Sequence, residues 1–270
     1  MKTKLLILFI FVYLALTFLL PYQKVLDLAW QSEVSLLEKS FGVFYFNITL
    51  FCLALMLVAK KYNKLENLLN KICSVKIIYS ASISMLIITL FLTALNITGL
   101  WWAWLSFGLQ VCTILLAYIL LKDKIQKYEA IMVGVALASI AMAIWEIPYQ
   151  WGLTVLTYPD NLIVEKIIYE IQVQMAPLIS SFGLLFIINR KYSIIKFNKY
   201  FYTFLAITIL LYIGLFLNGF HTDMFYDWDK QQYIYNNETL LDRIFHKGSK
   251  VTLALCLVSL IFKKEAIKWN

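Results

Sequence analysis

Eight apolar blocks run through this chain, and the connections between them alternate in charge. The blocks cover residues 5–20, 41–59, 77–95, 101–121, 130–145, 171–188, 201–217 and 251–262. A helix needs about 20 apolar residues to cross roughly 30 Å of hydrocarbon. A water-soluble helix interrupts such a run with polar residues every third or fourth position, and most of these runs are not so interrupted. The whole chain is 61% hydrophobic and only 15% charged, whereas soluble domains carry about 25% charged residues. The pattern predicts an all-α polytopic membrane bundle of eight transmembrane helices in a single domain spanning residues 1–270.

The charges orient it. Lys2 and Lys4, the connections around 60–76, 122–129 and 190–199, and the tail after 262 hold 17 of the 24 basic residues but 4 of the 16 acids. The opposite connections hold the other 7 bases and 12 acids, which makes one side +13 and the other −5. Cytoplasmic connections carry excess Lys and Arg. Both termini are therefore expected in the cytoplasm, and the protein in the cell or cytoplasmic membrane. Seven of the eight tryptophans lie at or beyond the acidic-side ends of the blocks. Trp favours that position because its ring is apolar while its N–H needs a partner. The four prolines fall on the same side, so an aromatic and acidic extracytoplasmic cap is expected. The topology rule accounts for the basic balance, and no nucleic-acid partner is expected.

The first block follows two lysines, as a signal peptide does, but its end lacks a small-x-small cleavage site. It reads as an uncleaved helix. Cys52, Cys112 and Cys256 lie in apolar blocks and Cys73 in a basic connection. That distribution predicts no extracytoplasmic disulfide, and no CxxC pair suggests a metal. Residues 21–40 have the spacing of an interfacial helix. The connections 147–170 and 219–249 are long, and long loops beside short ones often carry function. The sequence Thr239-Leu-Leu-Asp242 resembles a capping box, so the last helix is expected to begin outside, on the interface.

Glu146 is the candidate catalytic residue. It ends the fifth block in Trp-Glu-Ile-Pro-Tyr-Gln-Trp-Gly, beside Trp145 and Trp151. An apolar setting raises a carboxyl pKa and fits it for general acid work. Glu170, Gln174 and Ser181, with Pro177 between them, share one face of the sixth helix. They are candidate substrate-binding residues together with Trp145 and Trp151. The alternative is that these polar groups simply hold helices together. No resident metal is expected. His221, Asp223, Asp227 and Asp229 form a weak candidate set for a divalent ion in the outer loop.

Absences narrow the field. Both histidines, His221 and His246, lie in one outer connection, which disfavours haem or a many-histidine metal site. No nucleophile elbow or phosphate loop appears, and no cofactor is expected. Buried charge and broken helices, the marks of ion-coupled transporters, are not evident in the blocks. Lys250 is placed at the outer mouth of the last block, and Gln110 is the deepest strongly polar side chain.

Three expectations remain. One is a protein that binds or converts a lipid- or isoprenoid-type substrate in an outward-facing pocket, with Glu146 as acid. A second is a non-catalytic membrane subunit whose outer loops dock a partner protein. The third is a passive transporter. Membrane lipids are partners under all three.

Overall fold

The computed structural model describes residue 8, residues 48–95, 101–157, 175–217, 224–227, 232–235 and 240–262. Side chains within 101–105, 146–157 and the two strands, and those of residues 176, 242 and 243, are outside that description. The expected helix at 5–20, apart from residue 8, and the interfacial segment 21–40 also lie outside the described residues.

The elements are α1 (Ile48–Ala59), α2 (Asn63–Ile72), α3 (Val75–Leu95), α4 (Trp101–Leu121), α5 (Lys127–Thr157), α6 (Ala176–Tyr192), α7 (Lys199–Leu217), β1 (Met224–Asp227), β2 (Gln232–Tyr235) and α8 (Leu240–Ser259). Among the described residues the protein is helical apart from one antiparallel hairpin between α7 and α8, where Met224 pairs with Tyr235 and Asp227 with Gln232. Phe225, Tyr226, Tyr233, Ile234 and Tyr235 are aromatic or β-branched, which favours extended backbone. The all-α expectation holds for the bundle, and the hairpin is a local feature of one connection.

Two helix boundaries also differ from the apolar blocks. Helix α5 does not stop at Glu146 but runs through Pro148 to Thr157, 31 residues in all. At 1.5 Å per residue that is about 46 Å, longer than a bilayer core. The predicted loop at 147–170 therefore begins with helix. Helix α8 begins at Leu240, eleven residues before the last apolar block.

The bundle is organised around α5. Helices α1, α2, α4, α6 and α8 all pack on it, and 78% of its apolar window is buried, against 11% for α3 and α7. Small residues make this possible. A Cβ on Gly134 would meet Ile114 Cα at 2.8 Å and Ile114 O at 2.9 Å, so α4 and α5 touch backbone to backbone. Around this contact lies one core of Met56, Tyr118, Leu137, Ile140, Leu184, Ile188 and Ile261. Helix α3 packs on α4 and α7 on α8. Their outer faces leave Ile87, Leu90, Phe91, Leu210 and Phe216 exposed while Thr89 and Thr208 are buried. Apolar residues outside and hydroxyls inside reverse the order of a water-soluble bundle. Among the described residues three helices, α3, the Lys127–Trp145 part of α5, and α7, are long and apolar enough to cross a membrane.

Among the described residues, the three basic connections 60–76, 122–129 and 190–199 meet at one end, where Lys191 also pairs with Glu129. Tyr118 Oη donates to Cys73 O at 2.8 Å, and Asn70 Nδ2 donates to Gln126 Oε1. Asn198 Nδ2 donates to Ser259 O at 2.6 Å, and Lys196 N to Leu260 O at 2.7 Å. These bonds tie 60–76 to 118–129, and 193–199 to the end of α8.

Candidate functional site

At the opposite end, α4, α5 and α8 converge on a buried ammonium. Lys250 is the eleventh residue of α8, so both flanking turns are helical and its side chain points into the bundle. It is only 8% exposed. Its Nζ lies 3.5 Å from the centroid of the Trp145 ring and donates to Ser106 Oγ at 3.2 Å. Charging a lysine within an apolar bundle costs about 3 kcal/mol on insertion scales. The indole face offsets part of that cost, since a desolvated cation–π contact contributes about 2 kcal/mol.

Trp145 is itself only 2% exposed. Its Nε1 donates to Ser249 Oγ at 3.2 Å, and Ser249 Oγ donates to His246 O at 2.9 Å. The His246 ring leans on the indole at 4.8 Å between centroids, and Lys247 Nζ donates to His246 Nδ1 at 2.9 Å. The Phe245 ring, one residue before His246, closes over Gly214 of α7, where a Cβ would sit 2.5 Å from it.

Beside Lys250 lies a cavity of about 10 Å³, walled by Leu109, Gln110, Thr113, Ala138, Ala141, Met142, Trp145 and Ala254. That is room for about one water molecule. Lys250, Gln110 and Thr113 are the polar residues of this wall, and Thr113 Oγ1 donates to Leu109 O at 2.8 Å. The arrangement can hold an anionic or hydrogen-bonding group and leave an apolar remainder among Leu109, Met142 and the alanines.

The residues named from sequence separate. Trp145 belongs to this cluster. Glu146 and Trp151 follow it on α5, but their side chains lie outside the described residues. Glu170, Gln174, His221, Asp223 and Asp229 lie outside as well. Asp227 ends β1, and its side chain is not described. Among the described residues no group of three His, Cys, Asp or Glu side chains is placed to hold a metal.

Ser181 is buried and donates to Pro177 O at 2.6 Å. Ser180 donates to the same carbonyl at 3.1 Å and bonds Thr49 of α1 at 2.6 Å. This knot joins α1 to α6 and forms no part of the cavity wall.

Lys250 was placed at the helix mouth because the last apolar block starts at Val251. The helix instead begins at Leu240, so the lysine falls in its middle. Sequence reading also missed Glu129, fully buried at the basic end. Its Oε1 faces Lys191 Nζ at 3.4 Å. Burial opposes the charge of Lys191, but Tyr192 and Glu129 outweigh it and hold the ammonium above the ordinary lysine value. The position of Glu129 at the first turn of α5, where a carboxylate suits the helix dipole, was the available signal.

Comparison with protein-family models, with characterised proteins and with solved structures finds no match to this chain.

Proposed function

We propose that this is a multi-pass integral membrane protein that binds a lipid- or isoprenoid-type ligand in its outward half. Eight spans and cytoplasmic termini are part of the proposal, with the cell or cytoplasmic membrane as its location. The gathering of the basic connections at one end of the bundle supports that topology. The ligand's polar group sits at Lys250, Gln110 and Trp145, and its apolar part runs toward lipid.

The observation that carries this reading is the ammonium of Lys250 held against the Trp145 indole beside a cavity. A bundle built only to pack gains nothing from a buried lysine, since an apolar side chain of similar volume packs without the desolvation cost. Ionisable groups at membrane depth mark functional sites by default. Glu146, next along α5 from Trp145, is the acid if the ligand is also converted.

A second reading is favoured by the size of the cavity. A space of about 10 Å³ does not admit a lipid tail without movement, which fits a non-catalytic subunit whose outer hairpin and loops dock a partner protein.

Native mass spectrometry of the detergent-purified protein discriminates the two. Under the first reading a lipid-type ligand co-purifies with the wild type and is lost in Lys250→Met. Glu146→Gln retains the ligand unconverted. A wild type that carries no such ligand but holds a partner protein supports the second reading and sinks the first.

A further inference from the structure

Helix α2 lies at the basic end and differs from the other described helices in having no buried residue. Two sides of it are accounted for by packing. Leu65 and Leu69 are half-buried and pack against the core. Glu66 and Asn70 turn toward α5, where Tyr128 Oη donates to Glu66 Oε1 at 3.4 Å and Asn70 bonds Gln126. The remaining arc carries Leu68 and Ile72, 51% and 50% exposed.

At about 100° per residue, Leu65, Leu68, Leu69 and Ile72 share one apolar stripe, and the exposed Lys64 and Lys71 border it next to Leu68. Exposed Tyr62 and Lys60, Lys61 and Lys76 flank the helix. The acid of α2, Glu66, faces away from this arc. Three residues after Ile72, α3 begins, and its Ile77, Ile83 and Ile87 are exposed as well.

We infer that α2 lies in the headgroup layer of the basic-side leaflet and binds anionic phospholipid. Lys64 and Lys71 take the headgroup phosphates, and Leu68 and Ile72 insert among the acyl chains. Charge complementarity selects this occupant: the exposed arc carries two apolar residues rimmed by bases and no acid. An amphipathic helix with lysines bordering its apolar stripe is the pattern that binds anionic interfaces. The inference rests on the membrane reading but not on the outward cavity.

The test is native mass spectrometry of the full chain in mixed micelles with equal phosphatidylglycerol and phosphatidylcholine. The wild type should retain phosphatidylglycerol in preference. Lys64→Gln with Lys71→Gln should cut that preference roughly twenty-five-fold, because each surface lysine contributes on the order of a factor of five. Lys64→Arg with Lys71→Arg should keep it. Leu68→Asn with Ile72→Asn should lower retention of both lipids. A thermal melt confirms that each variant is folded. A preference that is absent in the wild type, or survives the glutamine pair, overturns the inference. Release of the wild type from membranes by alkaline carbonate overturns the membrane reading along with it; retention without lipid preference overturns α2 binding alone.

Discussion

The Nζ of Lys250 stands 3.5 Å above the ring of Trp145, and that ring donates its own N–H to Ser249, the residue before the lysine. One indole thus serves two adjacent residues of α8, with its face toward a cation and its edge toward a hydroxyl. Both contacts need the same side-chain orientation, so they lock α5 to α8 at one register.

Substitutions at this pair should separate charge from packing. Trp145→Ala removes a buried ring and both contacts, and should destabilise the protein by about 3–5 kcal/mol. Lys250→Met keeps the volume and removes the desolvated charge. It should leave the melting temperature unchanged or raise it, since replacing a buried charge with an apolar side chain is often neutral or stabilising. Thermal unfolding in detergent measures both. A large loss for Lys250→Met would mean that the ammonium is an architectural requirement.

Glycines at two positions should respond oppositely to the same change. Gly134→Ala drives a methyl into the backbone at Ile114, 2.8 Å away, and should cost about 1–3 kcal/mol. Gly183→Ala meets nothing within 4 Å and should stabilise α6 by roughly 0.5–1 kcal/mol through helix propensity. Paired melting curves check the contrast, and equal shifts would contradict the close approach of α4 and α5.

At the basic end, Lys191→Met leaves the Glu129 carboxylate buried without its cation. The half-exposed lysine is partly screened, so the expected loss is about 1–3 kcal/mol rather than the full penalty of a closed pair. Glu129→Gln should cost less, and the double variant should recover part of the loss. A double-mutant cycle by chemical or thermal unfolding measures the coupling, which is expected to be zero if the pair makes no contribution.

Cys73 reports on both topology and pH. It lies in a basic connection, and burial raises its thiol above the ordinary cysteine value. The reactive species is the thiolate, so a raised value means less thiolate at neutral pH and slow labelling. The rate should climb with pH beyond the point where an unburied thiol levels off. A membrane-impermeant maleimide should reach it from inverted vesicles and not from right-side-out ones. Labelling from the outer side would refute the assigned orientation.

Much of the bundle is legible in the apolar runs, because a stretch of about 20 apolar residues has few stable states besides a spanning helix. The bounds of α3, α4 and α7 lie within a few residues of their blocks. Boundaries failed where a helix outlasts its apolar run. Helix α5 continues through Pro148, and α8 starts among polar residues, so hydropathy ends where the helix does not. The hairpin at Met224–Tyr235 was hidden in a connection whose aromatic content read as interface. Trp145 was found because its position beside an acid drew notice. Lys250 and Glu129 were missed because each sits just past the edge of an apolar block.

The sequence by itself determined that the chain forms apolar helices, that one end is basic and that the tryptophans gather at the other. Only the tertiary structure decided that α5 is the hub, that α3 and α7 turn their faces outward and that a lysine and a glutamate go inside. The reason is physical. Hydrocarbon and protein interior are almost equally apolar, so hydropathy cannot tell a lipid-facing side chain from a buried one. That choice depends on where small residues such as Gly134 let backbones meet, and on which polar groups find partners across the bundle.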